Sequence, residues 1–221
     1  MSKKKVAVCL SGCGVSDGSE IHESVLTLLA LDQAGAEAIC CAPSGVSLEV
    51  VNHATGKPAG EKRDVLVESA RIARGHIKPL GEVHAREIDA LVFPGGFGAA
   101  KNLCDFATAG AACEVNPQVE SLVADMLEMK KPIGAICIAP AMLARIVGRK
   151  KIAARLTIGT DKGTAAAVNQ MGASHCDCPV TEMVADEKHK IVTTPAYMLG
   201  KGPAEVFQGI KKCVEKLLQM A

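Results

Sequence analysis

The chain has 221 residues and a net charge of +1, with 25 Lys and Arg against 24 Asp and Glu, so it has no charged field that would gather nucleic acid or an anionic membrane. It has no Trp and one Tyr, which excludes the aromatic stacking surfaces of single-stranded nucleic-acid binders. Its apolar runs fall well short of the roughly 18 residues that span a membrane, so we expect neither a nucleic-acid nor a membrane partner.

Ten cysteines occur in a chain whose first residues, MSKKKVAVCL, lack a secretory signal. A disulfide framework is typical of short secreted chains, so reduced thiols inside the cell fit better. We expect a cytoplasmic location. A mitochondrial location stays open, because an organelle presequence would be removed from the mature protein.

Strands and helices alternate in the first half of the chain. Residues 5–10 form a short apolar strand, and the glycine-rich turn SGCGVSDGS follows it. The next predicted elements are a helix over 20–34 that Gly35 ends, a strand over 36–42, an irregular excursion with room for a small hairpin over 44–60, a helix over 65–73 and a strand over 89–93.

The second half continues this alternation. The predicted elements are a helix over 117–130, a strand over 133–136, a helix over 139–147, a strand-like run over 155–160, a helix over 164–171, strands over 182–186 and 190–194, and a final helix over 204–218. The pattern predicts a single α/β domain over residues 1–221, in which helices cover both faces of a mostly parallel sheet.

Three segments that could contribute to a site follow strands directly: the glycine-rich turn over 12–18, the pair Gly95 and Gly96, and Cys137. Ligands of open parallel sheets bind at the carboxyl ends of the strands. We therefore expect these segments to meet at one edge of the sheet, although they are far apart in sequence.

Cys137 is the candidate nucleophile. It lies in KKPIGAICIAPAM, where a short buried strand passes directly into a helix. Helical N–H donors at such a turn favour a thiolate, and the small residues Gly134, Ala135 and Ala139 suit a nucleophile elbow. The alternative is an unreactive core cysteine, since cysteine is among the most often buried residues.

Two carboxylates and two glycines belong to the same candidate site. Glu20 and Glu23 share one face of the first turns of the helix. Either both stabilise the helix N-terminus, or one acts as a general base beside the thiol. Gly95 and Gly96, in PGGFG, offer unobstructed N–H groups that would form an oxyanion hole with the amide of Ile138, and an ordinary glycine turn is the alternative.

We expect no cofactor and no metal. The glycine spacing in 12–18 is one residue too long for a dinucleotide fingerprint, and the acidic residue at the end of the second strand is missing. The run His175-Cys176-Asp177-Cys178 resembles half of a zinc site, but no second ligand pair follows it. For His22, about 100° away from Glu23 around the helix, we expect a surface or packing role.

Blocks in a fixed order along most of the chain carry a family resemblance: SGCGVSDGSEIHE (11–23), ESARIARG (68–75), FPGGFGAAKNL (93–103), KPIGAICIAPAM (131–142), LTIGTD (156–161) and KIVTTPAYM (190–198). With these blocks the sequence resembles the superfamily of the parkinsonism-associated deglycase, the PfpI intracellular proteases and the class I glutamine amidotransferases. It is most similar to the branch called enhancing lycopene biosynthesis protein.

The resemblance implies a flavodoxin-like three-layer α/β/α sandwich that forms a homodimer. It also implies Cys137 at the elbow, Glu23 as its carboxylate partner, and Gly96 with Ile138 as anion-binding amides. Ile138 occupies the position at which relatives with strong hydrolase activity have a histidine, and the late His-Pro-Glu-like motif of the amidotransferases is missing. Glutaminase and protease activities would both lack their base.

Two functions remain after these observations. The branch suggests a cofactor-independent glyoxalase-like activity, in which Cys137 and Glu23 convert small 2-oxoaldehydes such as glyoxal and methylglyoxal to 2-hydroxy acids. The alternative is a non-enzymatic, redox-responsive or regulatory dimer linked to isoprenoid metabolism, in which oxidised Cys137 is resolved by Cys13 across the crevice.

Overall fold

The structure, a computed structural model, describes residues 3–221. The strands in this part of the chain are β1 (Lys5–Cys9), β2 (Glu37–Ala42), β3 (Ser47–Asn52), β4 (Lys57–Asp64), β5 (Lys78–Pro79), β6 (Ala90–Phe93), β7 (Ile133–Ile136), β8 (Arg155–Leu156), β9 (Ser174–His175), β10 (Val184–Asp186) and β11 (Ile191–Thr194). Seven of them form the central sheet, in the order β10-β11-β7-β6-β1-β2-β5. Within the central sheet only the pairing of β10 with β11 is antiparallel, so the prediction of a mostly parallel sheet is confirmed.

The helices are α1 (Ile21–Gln33), α2 (Val65–Ile72), α3 (Phe97–Lys101), α4 (Phe106–Ala109), α5 (Pro117–Glu128), α6 (Ala139–Arg149), α7 (Lys162–Gln170) and α8 (Pro203–Met220). The longer helices begin and end within two residues of their predicted bounds. The short helices α3 and α4 are absent from the sequence prediction, because segments of four or five residues carry too little periodicity to detect.

Helices cover both faces of the sheet, which makes a three-layer sandwich. Consecutive strand residues point to opposite faces, so Ala7 and Val8 belong to different apolar clusters. Met142 of α6 packs in the cluster of Ala7, and Leu31 of α1 and Ile210 of α8 pack in the cluster of Val8. Burial on both faces explains why the strands read as continuous apolar runs.

The parallel register brings the ends of β1, β6, β7 and β11 together. Val8 pairs with Val92, Phe93 pairs with Ala135, and Ile136 pairs with Thr194. The loops after these strands therefore leave the same edge of the sheet, as the sequence predicts.

The excursion after β2 is a β-hairpin of β3 and β4, with a register shift between Glu49 and Val51. It lies outside the main sheet and packs on the glycine-rich turn, where the Asp17 carboxylate accepts a hydrogen bond from the Val51 amide at 2.7 Å. The hairpin is longer than the predicted excursion, because pairing continues to Asp64, immediately before α2.

The strand-like run over 155–160 is a strand only in β8, so most of that prediction is wrong. Beyond Leu156 the amides bond to side chains instead of a neighbouring strand. The amide of Thr157 donates to the Thr193 hydroxyl at 2.9 Å, and that of Ile158 donates to His175 Nε2 at 3.3 Å. Within residues 3–221, each helix is too short or too polar to cross a bilayer.

Candidate active site

Cys137 lies at a sharp turn between β7 and α6. Its φ is +62°, a left-handed conformation that is uncommon for a residue with a Cβ and marks a strained turn. The Cys137 amide donates to the Thr194 carbonyl at 2.9 Å, which anchors the turn to β11. Cys137 is 7% exposed, so its thiol is buried.

Glu20 and Glu23 have different positions, although the sequence alone allows either residue to cap the helix or to lie beside the thiol. The Glu20 carboxylate caps α1 by accepting from the Glu23 amide at 2.6 Å. Glu23 is fully buried, and its Oε2 and the Cβ of Cys137 both lie within 2.5 Å of the position that a Cβ on Gly95 would take, so the carboxyl group lies beside the thiol.

Two backbone amides hold the Glu23 carboxyl in place. The Gly95 amide donates to Oε2 at 2.9 Å, and the Tyr197 amide donates to Oε1 at 3.1 Å. These donors come from the loops after β6 and β11, so the sheet register fixes the carboxyl group beside the thiol.

Burial dominates the ionisation of this pair. Loss of water raises the pKa of Glu23 to about 8, against the opposing effect of the Tyr197 and Gly95 amides. Burial also raises the pKa of Cys137 well above its usual value, and the charge of Glu23 raises it further. Two negative charges are therefore unfavourable here: below about pH 8 both groups hold a proton, and at higher pH the pair keeps one proton that either group can carry.

Two further amides act on the sulfur in the opposite direction. The backbone N–H groups of Gly96 and Ile138 favour the thiolate and lower the pKa of Cys137. The structure thus brings together five residues of the predicted site: Cys137, Glu23, Gly95, Gly96 and Ile138.

Position 95 requires a glycine because the space is occupied. A Cβ there would overlap the Cβ of Cys137 and come too close to the Glu23 carboxylate. Gly96 has φ +95°, and a Cβ on it would overlap the backbone of Gly18 and Glu20. These two glycines let the strand end approach both α1 and the elbow.

Two residues that no sequence pattern placed near the pair, Tyr197 and His22, lie next to it in the structure. Tyr197 holds Glu23 through its amide, and its hydroxyl is 2.8 Å from His22 Nδ1. His22 is exposed, as expected, but its ring is hydrogen-bonded to Tyr197, which lies in the loop that contacts Glu23. The block KIVTTPAYM at the end of β11 is the signal that could have indicated Tyr197.

Cys13 lines a cavity under the β3–β4 hairpin that neither Cys137 nor Glu23 lines. Burial raises the pKa of the Cys13 thiol, and the charges of Glu68 and Asp17 raise it further, against the opposing charge of Arg71. His175 Nε2 accepts a hydrogen bond from the Ile158 amide, so this side chain joins β9 to the segment that follows β8. Among the described residues, no group of three or more His, Cys, Asp or Glu side chains is arranged to hold a metal ion.

Fold and site together define a class: flavodoxin-like α/β proteins with a cysteine at a strand-to-helix elbow beside a buried glutamate. The chain belongs to the DJ-1/PfpI family, whose model matches residues 4–199.

The chain is similar to named relatives over nearly its whole length. It is 43% identical to the rat ES1 protein homolog, mitochondrial, over 99% of this chain and 84% of that protein. It is also 43% identical to the human glutamine amidotransferase-like class 1 domain-containing protein 3, mitochondrial, over 98% of this chain and 83% of that protein.

Solved structures agree with the fold. An isoprenoid biosynthesis protein with an amidotransferase-like domain from Ehrlichia chaffeensis superposes with a TM-score of 0.90 at 36% identity, covering 98% of this chain and 99% of its own. Drosophila melanogaster DJ-1beta superposes with a TM-score of 0.58 at 18% identity, covering 100% of this chain and 96% of its own, and supports the fold alone.

Proposed function

We propose that the protein is a cofactor-independent glyoxalase-like enzyme that converts small 2-oxoaldehydes to 2-hydroxy acids. The observation that supports this most is the buried pair of Cys137 and Glu23, in which a carboxyl pKa of about 8 lets Glu23 exchange a proton close to neutral pH. A thiol and a carboxyl group suffice for this reaction, and in the described part of the chain Cys137 has no histidine partner.

The reaction begins when the Cys137 sulfur adds to the aldehyde carbon and a hemithioacetal forms. Glu23 then removes the hydrogen on that carbon as a proton, and the electron pair moves to the neighbouring carbonyl oxygen, which gives an enediolate. Glu23 returns the proton to the neighbouring carbon, and the hydroxyl proton on the former aldehyde carbon passes to the neighbouring oxygen. A thioester and a 2-hydroxyl group result, so one carbon is oxidised while the other is reduced. Water cleaves the thioester, which releases the 2-hydroxy acid and restores the thiol.

The backbone amides around the pair and the Glu23 carboxyl group have separate roles in these steps. The amides of Gly96 and Ile138 would stabilise the oxyanion of the hemithioacetal and of the thioester hydrolysis. The Gly95 and Tyr197 amides hold Glu23 within reach of both carbon atoms. A carboxyl pKa of about 8 suits a group that accepts and returns a proton near neutral pH.

Methylglyoxal turnover tests this proposal. We expect the wild-type protein to form lactate from methylglyoxal, and Cys137→Ala and Glu23→Gln each to abolish it. Cys176→Ala and Glu37→Gln, which change the same residue types far from the elbow, should retain the wild-type rate. Wild-type rates in either elbow variant would refute the mechanism, and an inactive wild-type protein would refute the proposed activity.

The lack of a histidine partner also favours a second candidate, a redox-responsive or regulatory dimer. Here peroxide would oxidise Cys137 to a sulfenate, with Cys13 as the resolving thiol. Peptide mass spectrometry after mild peroxide should then detect oxidised Cys137 and a disulfide that joins the two residues. An unmodified Cys137 beside other oxidised thiols would refute this candidate.

The relatives bear on the cellular location and the metabolic context of the proposed activity. The mitochondrial location in the names of the rat and human proteins supports the mitochondrial alternative to a cytoplasmic location. The Ehrlichia protein's title supports a link with isoprenoid biosynthesis, although no residue of this chain indicates a prenyl substrate. We also propose that the protein is a homodimer and that residues 1–221 form one domain.

A further inference from the structure

Tyr197, in the loop after β11, is attached to α1 at two points. Its backbone amide donates to the Glu23 carboxyl group at 3.1 Å, and its hydroxyl lies 2.8 Å from Nδ1 of His22. His22 and Glu23 are consecutive residues of α1, so their side chains leave the helix about 100° apart. The loop therefore holds one turn of the helix from two directions.

The contact between the two side chains is more than a single hydrogen bond. The ring centroids of His22 and Tyr197 are 5.8 Å apart and the ring planes are inclined by 47°, a tilted arrangement that is favourable between aromatic rings. Burial raises the pKa of Tyr197, and the charges of Glu20, Glu23 and Glu205 raise it further, so the hydroxyl keeps its hydrogen at neutral pH. The tyrosine thus stays a neutral hydrogen-bonding partner of the histidine ring.

The turn over 195–200, which carries Tyr197, is rigid within itself. Ala196 is fully buried and has φ +44°, a left-handed conformation that is strained for a residue with a Cβ. Its carbonyl accepts hydrogen bonds from the amides of Leu199 at 3.1 Å and Gly200 at 2.9 Å, which fixes the peptide plane that also carries the Tyr197 N–H. The distance from this N–H to Glu23 therefore depends on where the turn lies against α1.

Within residues 3–221, two hydrogen bonds join this turn to α1, and Tyr197 makes both. One ends on the Glu23 carboxyl group, which belongs to the pair at the elbow. The other ends on His22, whose exposed ring lies outside that pair. His22 is therefore a second point of attachment that fixes the turn without using the carboxyl group.

We propose that His22 and Tyr197 are positioning residues, whose side-chain contact holds the Tyr197 amide against the Glu23 carboxyl group and so keeps this group beside the Cys137 thiol. The Gly95 amide holds the other carboxyl oxygen at 2.9 Å, so loss of the Tyr197 amide would leave the group attached on one side only. A misplacement of about 1 Å can lower a rate about 100-fold. For turnover this inference rests on the proposed function, but the placement of the carboxyl group is measurable without a substrate.

The ionisation of Glu23 reports this placement. After burial, the Tyr197 amide has the largest effect on the Glu23 pKa, which it lowers. The charge of Glu20 raises this pKa, and the Cys137 thiol and the Gly95 amide lower it. Removing the Tyr197 hydroxyl leaves these groups in place, so retreat of the Tyr197 amide should raise the Glu23 pKa above its value of about 8.

NMR of protein labelled with carbon-13 at the glutamate carboxyl carbon measures this ionisation, and loss of a signal in Glu23→Gln assigns it. We expect the midpoint of the Glu23 titration, about pH 8 in the wild type, to rise by at least about half a pH unit in Tyr197→Phe, which removes only the hydroxyl oxygen. His22→Ala should give the same shift, and the double variant should shift no further, because both changes remove one contact. His22→Asn keeps a hydrogen-bonding group near the Nδ1 position and should restore most of the wild-type midpoint.

His76→Ala is the matched control, since this histidine is exposed between α2 and β5, and its Glu23 midpoint should equal that of the wild type. Circular dichroism checks that each variant is folded. Wild-type midpoints in folded Tyr197→Phe and His22→Ala would overturn the positioning role, even if the protein forms lactate from methylglyoxal. Shifted midpoints in both variants, with a wild-type protein that forms no lactate, would refute the proposed function and support the positioning role.

Discussion

The ionisation of Cys137 depends on groups that act in opposite directions. Burial and the charge of Glu23 raise the thiol pKa, whereas the amides of Gly96 and Ile138 lower it. The amides at the elbow therefore favour the thiolate of Cys137, whereas the negative charge of Glu23 disfavours it. Whether the sulfur is a thiolate depends on which of the two groups carries the shared proton.

Replacing Glu23 by Gln should shift the alkylation of Cys137 to lower pH. The substitution removes a charge that raises the thiol pKa but keeps a side chain of the same size that can donate to the sulfur. The rate of Cys137 carbamidomethylation, followed by peptide mass spectrometry against pH, measures this shift. Alkylation of Cys176 provides the internal control and should be unchanged, and an unshifted Cys137 profile would contradict the assigned coupling.

The raised pKa of Glu23 also predicts how stability depends on pH. The folded-state pKa of about 8 lies above the usual value of 4.5, so the folded protein binds this proton more tightly than the unfolded chain. The stabilisation is complete below pH 4.5 and is lost as the pH rises through 8. Its upper limit is about 5 kcal/mol, from 1.4 kcal/mol per pKa unit.

Urea unfolding at pH 5, 7 and 9 measures this effect. The free energy of unfolding of the wild type, relative to Glu23→Gln, should decrease as pH rises, because Gln does not titrate. Cys137→Ala should show the same decrease, which separates the carboxyl group from the thiol. A difference between wild type and Glu23→Gln that is independent of pH would mean that Glu23 ionises normally.

At the scale of elements, the site depends on how closely the end of β6 approaches α1 and the elbow. We expect Gly95→Ala to destabilise the fold by about 1–3 kcal/mol, because its Cβ would overlap the Cβ of Cys137 and displace the Glu23 carboxyl. Thermal unfolding and methylglyoxal turnover should both decline. Gly202→Ala is a matched control, since a Cβ there has no neighbour within 4 Å, and equal behaviour of the two variants would contradict this packing.

For the molecule as a whole, an exposed apolar stripe on α1 supports the proposed homodimer. Ile21, Val25 and Leu29 recur every four residues on one face and are 40–48% exposed. Burying such a face is a common reason for association. We expect Val25→Lys to convert a dimer to a monomer in analytical ultracentrifugation. Val67→Lys, at an apolar position 61% exposed on α2, should remain dimeric, and an unchanged mass for Val25→Lys would exclude this face.

Local patterns in the sequence were sufficient for six of the seven strands of the central sheet, all but the two-residue β5, and for the main helices and the edge at which the site lies. Apolar runs and glycine stops report burial and backbone conformation one segment at a time, so they placed Cys137, Gly95 and Gly96 at strand ends. They could not predict the end of the run over 155–160, where side chains of Thr193 and His175 replace a strand partner.

The sequence by itself determined the α/β architecture, the elbow at Cys137 and two carboxylates that could serve it. Only the tertiary structure decided between Glu20 and Glu23, because the choice depends on which side chain the β6 and β11 loops enclose. The same holds for His22 and Tyr197, whose side chains meet only because the loop after β11 folds against α1. Hydrogen bonds between residues distant in sequence, and the loss of water around them, arise from the packed chain and leave no periodic signal.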